Sequence, residues 1–361
     1  MKSGIIALLS LVAIVQSSLA ATVTQHPART LAWANPGTDG SALDAANWTE
    51  YASAADYAAG KAGKAAAAAP DANTDLVLPD APEGKSYTVG FMIPSGERRK
   101  DGDGPDAPTL VCRNVTVGRG AALDGGAGVA RGKSVYSKTG EDDCTAEIRG
   151  NVVVNDGGCL YGNLLLTGDE PAVFFVGKSP EPFARSLTVR KTIGAAVLFL
   201  GRYDLIDGLD VQDGGLILAQ ETVIRINATD QQRRALKKLG HTEFGRQDPL
   251  IRVRKDAALL MGAGSRIGRV LPPDDVAADV VIEGLLQINA PSAGKTPAPA
   301  VIELTMAEGS GKYLDQPGGL YIRPTAKVRN LGSLTITAAD ANTATATRGV
   351  SIFLEAPAEL G

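Results

Sequence analysis

Val211-Gln-Asp-Gly-Gly-Leu-Ile217 sets an aliphatic residue before a turn of small and polar residues and closes on a second aliphatic residue six positions on. The same spacing returns as Val117-Gly-Arg-Gly-Ala-Ala-Leu123, Val154-Asn-Asp-Gly-Gly-Cys-Leu160, Val253-Arg-Lys-Asp-Ala-Ala-Leu259 and Ile322-Arg-Pro-Thr-Ala-Lys-Val328. Most copies follow an alternating segment: Val115-Thr-Val117, Leu209-Asp-Val211, Ile251-Arg-Val253, Leu320-Tyr-Ile322. Alternation marks a strand with one face buried. A strand, a tight corner and another strand, repeated with no shared helix between copies, predicts units that stack on one another. The expected fold is therefore all-β, a single parallel β-helix over 110–361, right-handed because parallel crossover connections are. Val117, Val154, Val211, Val253 and Ile322 should then be buried in columns.

Composition agrees with short strands and many turns: there are 42 glycines, and aromatics make up 5% of the chain. The net charge of −4 supplies no basic surface for a phosphate backbone, so no nucleic-acid partner is expected. Lys2, the apolar stretch from Ile5 to Val15 and the small residues Ser18-Leu-Ala20 form the three parts of a secretory signal over 1–20. That apolar stretch falls short of the ~20 residues a membrane-crossing helix needs. The expected product is exported, with no transmembrane segment once the signal is cleaved, and lies outside the cell, at its surface or in the periplasm.

Three cysteines, Cys112, Cys144 and Cys159, allow one disulfide in an oxidising compartment. Aligning Asn114-Val-Thr-Val with Asn151-Val-Val-Val puts Cys159 at the place of Ala122, a core site. Cys112 and Cys144 instead flank the excursion from Asp124 to Asp143, and a bridge between them would pin that loop.

Residues 21–109 read as an N-terminal capping segment with an Ala-rich insertion. Trp33 is followed by Asn35-Pro-Gly-Thr-Asp-Gly40, then Asp44-Ala-Ala-Asn-Trp48, then Pro70-Asp-Ala-Asn-Thr-Asp75-Leu-Val-Leu-Pro79 and Tyr87-Thr-Val89. This order resembles the entry segment of secreted bacterial right-handed β-helix proteins of the autotransporter-passenger and pectin-lyase-like type. The resemblance implies a fold and an exported location; its members include adhesins and polysaccharide-active enzymes, so it implies no single reaction. Ser53-Ala-Ala-Asp56 matches a capping box, and the Ala-rich run after it is either a short exposed helix or an Ala/Gly loop.

Loops extruded from a regular stack are where binding chemistry is expected: 124–143, 168–185, 229–247, 262–275 and 290–300. Thr229-Asp230 starts a helix-like run ending at Gly240, in which Arg233, Arg234, Lys237 and Lys238 form a basic cluster. Arg252, Arg254 and Lys255 form a second one, alternating with Ile251 and Val253. These seven are the candidate binding residues, for an acidic glycan or a surface-protein partner. Asp156-Gly-Gly158 and Asp213-Gly-Gly215 occupy the same place in their repeats, but one strand should lie between them. A separation of ~9–10 Å exceeds what one Ca²⁺ spans, so Asp-Gly turns are expected and no cofactor or metal is assigned. No HExxH, GxSxG, P-loop or CxxC pair is present. No catalytic residue is assigned, and the expected role is a non-catalytic, adhesin-like or structural surface protein presenting loops to a partner or glycan. A polysaccharide lyase or glycoside hydrolase of the same fold is the alternative.

Overall fold

The computed structural model describes residues 28–91, 109–125, 144–177, 183–226, 251–269, 280–290, 298–304, 319–338, 352–354 and 359–360. The signal segment, the 124–143 excursion past Gly125 and the whole 229–247 excursion, with its basic cluster Arg233, Arg234, Lys237 and Lys238, lie outside these residues. Among the described residues, 24 strands belong to one sheet and four to a second. The pairings are parallel except where Arg29–Trp33 meets Trp48–Tyr51 and where that strand meets Lys64–Ala65.

The chain keeps returning to the same three strand positions. Along the first, Leu110–Cys112, Thr145–Ile148, Asn163–Leu166 and Phe183–Arg190 pair in order, followed by 209–211, Ile251–Val253, Val280–Ile282, Leu320–Ile322 and Ile352–Leu354. Along the second, Arg29–Trp33, Thr74–Leu78, Asn114–Val117, Val152–Val154 and Ala172–Val176 run into 197–201. Past that strand, 214–218, Ala257–Met261, Leu285–Ile288 and Lys327–Asn330 form a further parallel series. On the third, Tyr87–Gly90, Ala121–Asp124 and Cys159–Tyr161 pair, and later 202–205, Val223–Ile226, Arg266–Arg269, Ala300–Leu304 and Leu334–Ala338 do the same. Parallel strands cannot be joined by a hairpin, so a crossover connection separates parallel neighbours. Strands were expected neither in 168–185 nor in 262–275, yet Ala172–Val176 and Arg266–Arg269 occupy them.

Strand Ala196–Leu218 visits all three positions without a break. It turns at Gly201, whose φ is +97° and where an added Cβ would sit 2.0 Å from the Val176 carbonyl oxygen. Only glycine fits so close an approach.

Alternation fills the interior. Val117, Val154, Val211 and Val253 are fully buried and Ile322 is 3% exposed. They do not form one column, however. Val117 pairs with Val154 at the second position, while Val211 pairs with Val253 at the first, in line with Ile282 and Ile322. The six-residue spacing thus occurs at two different corners, because any corner of two or three residues between aliphatics satisfies it. Asp156 and Asp213 separate for the same reason, Asp156 following a second-position strand and Asp213 a first-position one. Gly157 and Gly214 take φ of +77° and +71°, as Asp-Gly turns require.

Phe174 stacks on Phe199 at 4.3 Å, and the neighbouring Tyr203 donates its hydroxyl to the Leu160 carbonyl at 2.8 Å. At the N-terminal end Trp33 meets Trp48 edge-on at 5.2 Å, and the indoles donate to Thr38 and Ala42 carbonyls. Burying large rings while satisfying their N–H groups is what closes this end of the core. Ser53 Oγ accepts from the Asp56 amide at 3.1 Å and caps a helix over Ala54–Ala58, after which Lys64–Ala65 joins the sheet edge instead of continuing either a helix or a loop.

Cys159 pairs with Ala122, as the alignment of the two Asn-led strands requires. The Cys112–Cys144 bridge does not form, and all three cysteines are buried outside any disulfide. In the parallel register Cys112 lies opposite Ile148. Cys144 is four residues earlier, roughly 13 Å along the strand at ~3.3 Å per residue, beyond the ~7 Å a disulfide spans.

Candidate functional site

The corner between the first and second strand positions lengthens from one row to the next. It is Arg113 alone in one row, 149–151 in the next and 167–171 in the third. Stacked at ~4.8 Å per row, these corners open a groove of about 630 Å³ whose walls include Arg113, Asn114, Glu147, Arg149, Asn151, Asp169 and Glu170.

Bonds within and between the rows hold Arg113, Asn114, Glu147 and Asn151. Arg113 donates Nε and Nη2 to Asp75 Oδ1 and Oδ2 at 2.8 and 2.6 Å, and Asn114 Nδ2 donates to the same carboxylate at 2.7 Å. This bonding holds the Arg113 guanidinium above its usual pKa. Asn114 Oδ1 accepts from the Asn151 amide at 2.6 Å, and Asn151 Oδ1 from the Val173 amide at 2.8 Å, so one asparagine hands its corner to the next. Glu147 Oε1 accepts from Arg149 Nε at 3.1 Å and from Thr167 Oγ1 at 2.9 Å.

Lys191 lies under this floor. It is 1% exposed, and its Nζ donates to the main-chain carbonyls of Arg149 at 2.6 Å and Glu170 at 3.0 Å. Burial lowers its pKa to about 8, against the opposing pull of Asp169 and Glu170. The ammonium therefore ties two successive corners together from inside.

The chain matches no family model, no curated protein and no solved structure.

Of the candidates named from sequence, the described Arg252, Arg254 and Lys255 fall elsewhere. Arg252, Arg254 and Lys255 do point away from buried Ile251 and Val253. Arg252 Nη2 donates to Glu283 Oε1 at 2.7 Å, and Arg254 donates Nη2 and Nε to Asp210 at 2.6 and 3.1 Å, which raises the Arg254 pKa. Both guanidiniums thus bridge neighbouring strands; Lys255 is exposed beside them. The same device recurs in Arg225 with Asp204 and in Arg266 with Glu303.

The groove residues went unnamed at the sequence level although one signal was present. Asn114 and Asn151 head the two strands that the alignment superposes, each shortly after an arginine. An asparagine repeated at a corner is a residue whose side chain can bond the next row's backbone. Among the described residues, no group of three or more His, Cys, Asp or Glu is placed to hold a metal ion.

Proposed function

We propose that the chain is an exported right-handed parallel β-helix that presents its corner groove and extruded loops to a glycan or surface partner without turning it over. The three-position return of parallel strands supports the helix, and the signal-like 1–20 segment supports export. The observation that carries the non-catalytic reading is the bonding of the outer ion pairs. Arg113, Arg149, Arg225, Arg252, Arg254 and Arg266 each meet a carboxylate within the chain. Catalysis needs an acid, a base and a charge stabiliser directed at one substrate; here such groups are directed at one another and at the backbone.

One observation favours the second reading, a polysaccharide lyase or hydrolase. The groove does gather Glu147, Asp169 and Glu170 with Arg113 and Arg149 at one place, and enzymes of this architecture would assemble a site from side chains one row apart. A screen of the purified protein against neutral and acidic polysaccharides, following binding and the release of unsaturated or reducing ends together, separates the two. Binding without product is the expected result. Sustained product release that Glu147→Gln or Arg149→Ala abolishes would establish the enzyme instead.

A further inference from the structure

We propose that the outward face of the second strand position is where two copies of this chain join, sheet against sheet, as a dimer. This goes beyond the glycan-presenting reading and does not depend on it. A strand with one face in the core and one in water should alternate apolar with polar residues. From Val152–Val154 to Leu285–Ile288 the second position does not. Val173, Leu198, Ile217 and Leu260 stand in one outward column, and Val153, Phe175 and Leu200 in the next. The Gly215 and Ala219 amides donate to the Ala195 and Phe199 carbonyls at 3.0 and 3.1 Å, which sets Ile217 beside Leu198.

The intervening Phe174, Phe199, Leu216 and Leu259 fill the core, so these rows are apolar on both faces. The outward side chains all remain partly exposed, Phe175 the most at 38%. A parallel sheet that is apolar on both faces is one that is normally covered on both. The other two positions are built differently on the outside: Arg252 pairs with Glu283 on the first, and Arg225 with Asp204 and Arg266 with Glu303 on the third. Polar residues also close the two ends of the apolar face, Asn114 and Thr116 in the row before it and Lys327 and Arg329 in the row after it. An apolar patch rimmed in this way marks an interaction site.

Charge and size select a second copy as the occupant. Between its two polar ends the face presents no charged side chain, so apposing two identical faces brings no like charges together, which the ion-paired faces could not avoid. A two-fold axis along the strands reverses the coil direction of one copy. It then sets the row of Lys327 and Arg329 against the partner's row of Asn114 and Thr116, and cation does not meet cation. Six rows at ~4.8 Å, with strands of about five residues at ~3.3 Å each, make a flat face on the order of 450 Å². Two such faces bury roughly 1,000 Å² together, the size at which specific interfaces begin. Flat aliphatic rows also allow the ~10 Å sheet-to-sheet spacing of face-to-face packing.

Sedimentation velocity of the full chain from about 1 to 100 μM, the range in which an interface of this size dissociates, should show monomer passing to dimer. Phe175→Lys with Leu198→Lys should weaken that association at least about tenfold, since each copy would bury two ammonium groups without partners. The circular dichroism spectrum should stay unchanged, because neither side chain lies in the core. Ile217→Cys sits near the proposed axis, where a residue meets its own copy, and should yield a disulfide-linked dimer on mild oxidation. Thr188→Cys, on the outward face of the first position, should not. The cysteine pair also decides the matter if the double lysine variant fails to fold. A wild-type chain still monomeric at 100 μM, undiminished dimerisation of the folded double variant, or linkage through Thr188→Cys and not Ile217→Cys would overturn the proposal. So would a monomer that floats with phosphatidylcholine vesicles unless it carries the two lysines, a result that assigns the face to a lipid surface.

Discussion

Arg113 clasps Asp75 across one strand spacing, its Nε 2.8 Å from Oδ1 and its Nη2 2.6 Å from Oδ2, while the carboxylate is only 6% exposed at the residue level. The pair joins the row that begins at Thr74 to the row that begins at Leu110. Removing one partner of a pair this enclosed leaves a carboxylate without its counter-charge, which costs about 3 kcal/mol. Arg113→Ala should lower the denaturation midpoint accordingly. Arg113→Lys should recover only part of the loss, because a lysine cannot make the two parallel bonds. Urea denaturation of the three proteins measures this, and full recovery by lysine would show that geometry contributes nothing.

The buried column through Val189, Val211, Val253 and Ile282 admits no charge. Val211→Asp should destabilise by about 4 kcal/mol or more, since a carboxylate replaces methyl groups with no partner in reach. Lys255→Asp, in the exposed corner after Val253, should be nearly neutral. Thermal melts of both variants test the inward and outward assignment directly.

Thiol chemistry should follow the register and not the spacing of the cysteines. The folded protein should react slowly with a thiol reagent, because Cys112, Cys144 and Cys159 are all buried and desolvation raises the Cys112 pKa. In denaturant three thiols should react, and a reducing agent should leave the melting temperature unchanged. A non-reducing peptide map that recovers a Cys112–Cys144 linked pair would contradict the parallel register of 110–112 with 146–148.

Lys191 gives a pH dependence with a definite sign. Its folded pKa is lowered to about 8 by burial, whereas an unfolded lysine titrates near ~10.4. Between these values the unfolded chain binds more protons, so this group makes stability rise with pH across that window and contributes no slope below it. Melting temperatures measured from neutral pH to about 10 in wild type and Lys191→Met should show the rise in the first and not in the second. A parallel pH profile in the two would assign the slope to other groups.

The sequence by itself determined which faces are buried. The alternation at Val115-Thr-Val117, Leu209-Asp-Val211 and Ile251-Arg-Val253 specifies inward and outward residues, because strand side chains have a period of two and local order suffices to read it. It also determined the pairing of Cys159 with Ala122, since the two Asn-led strands carry matching corners. What only the tertiary structure decided is which corner is which. A six-residue aliphatic spacing fits two of the three corners equally well, so Val154 and Val211 looked equivalent and belong to different columns. The disulfide expectation failed on the same ground, for proximity between Cys112 and Cys144 depends on a register that places Ile148 opposite Cys112. The groove was out of reach for a physical reason as well: Asp75, Arg113, Arg149 and Lys191 are far apart along the chain, and they meet because three or four rows stack at ~4.8 Å, a distance that no spacing within the sequence encodes.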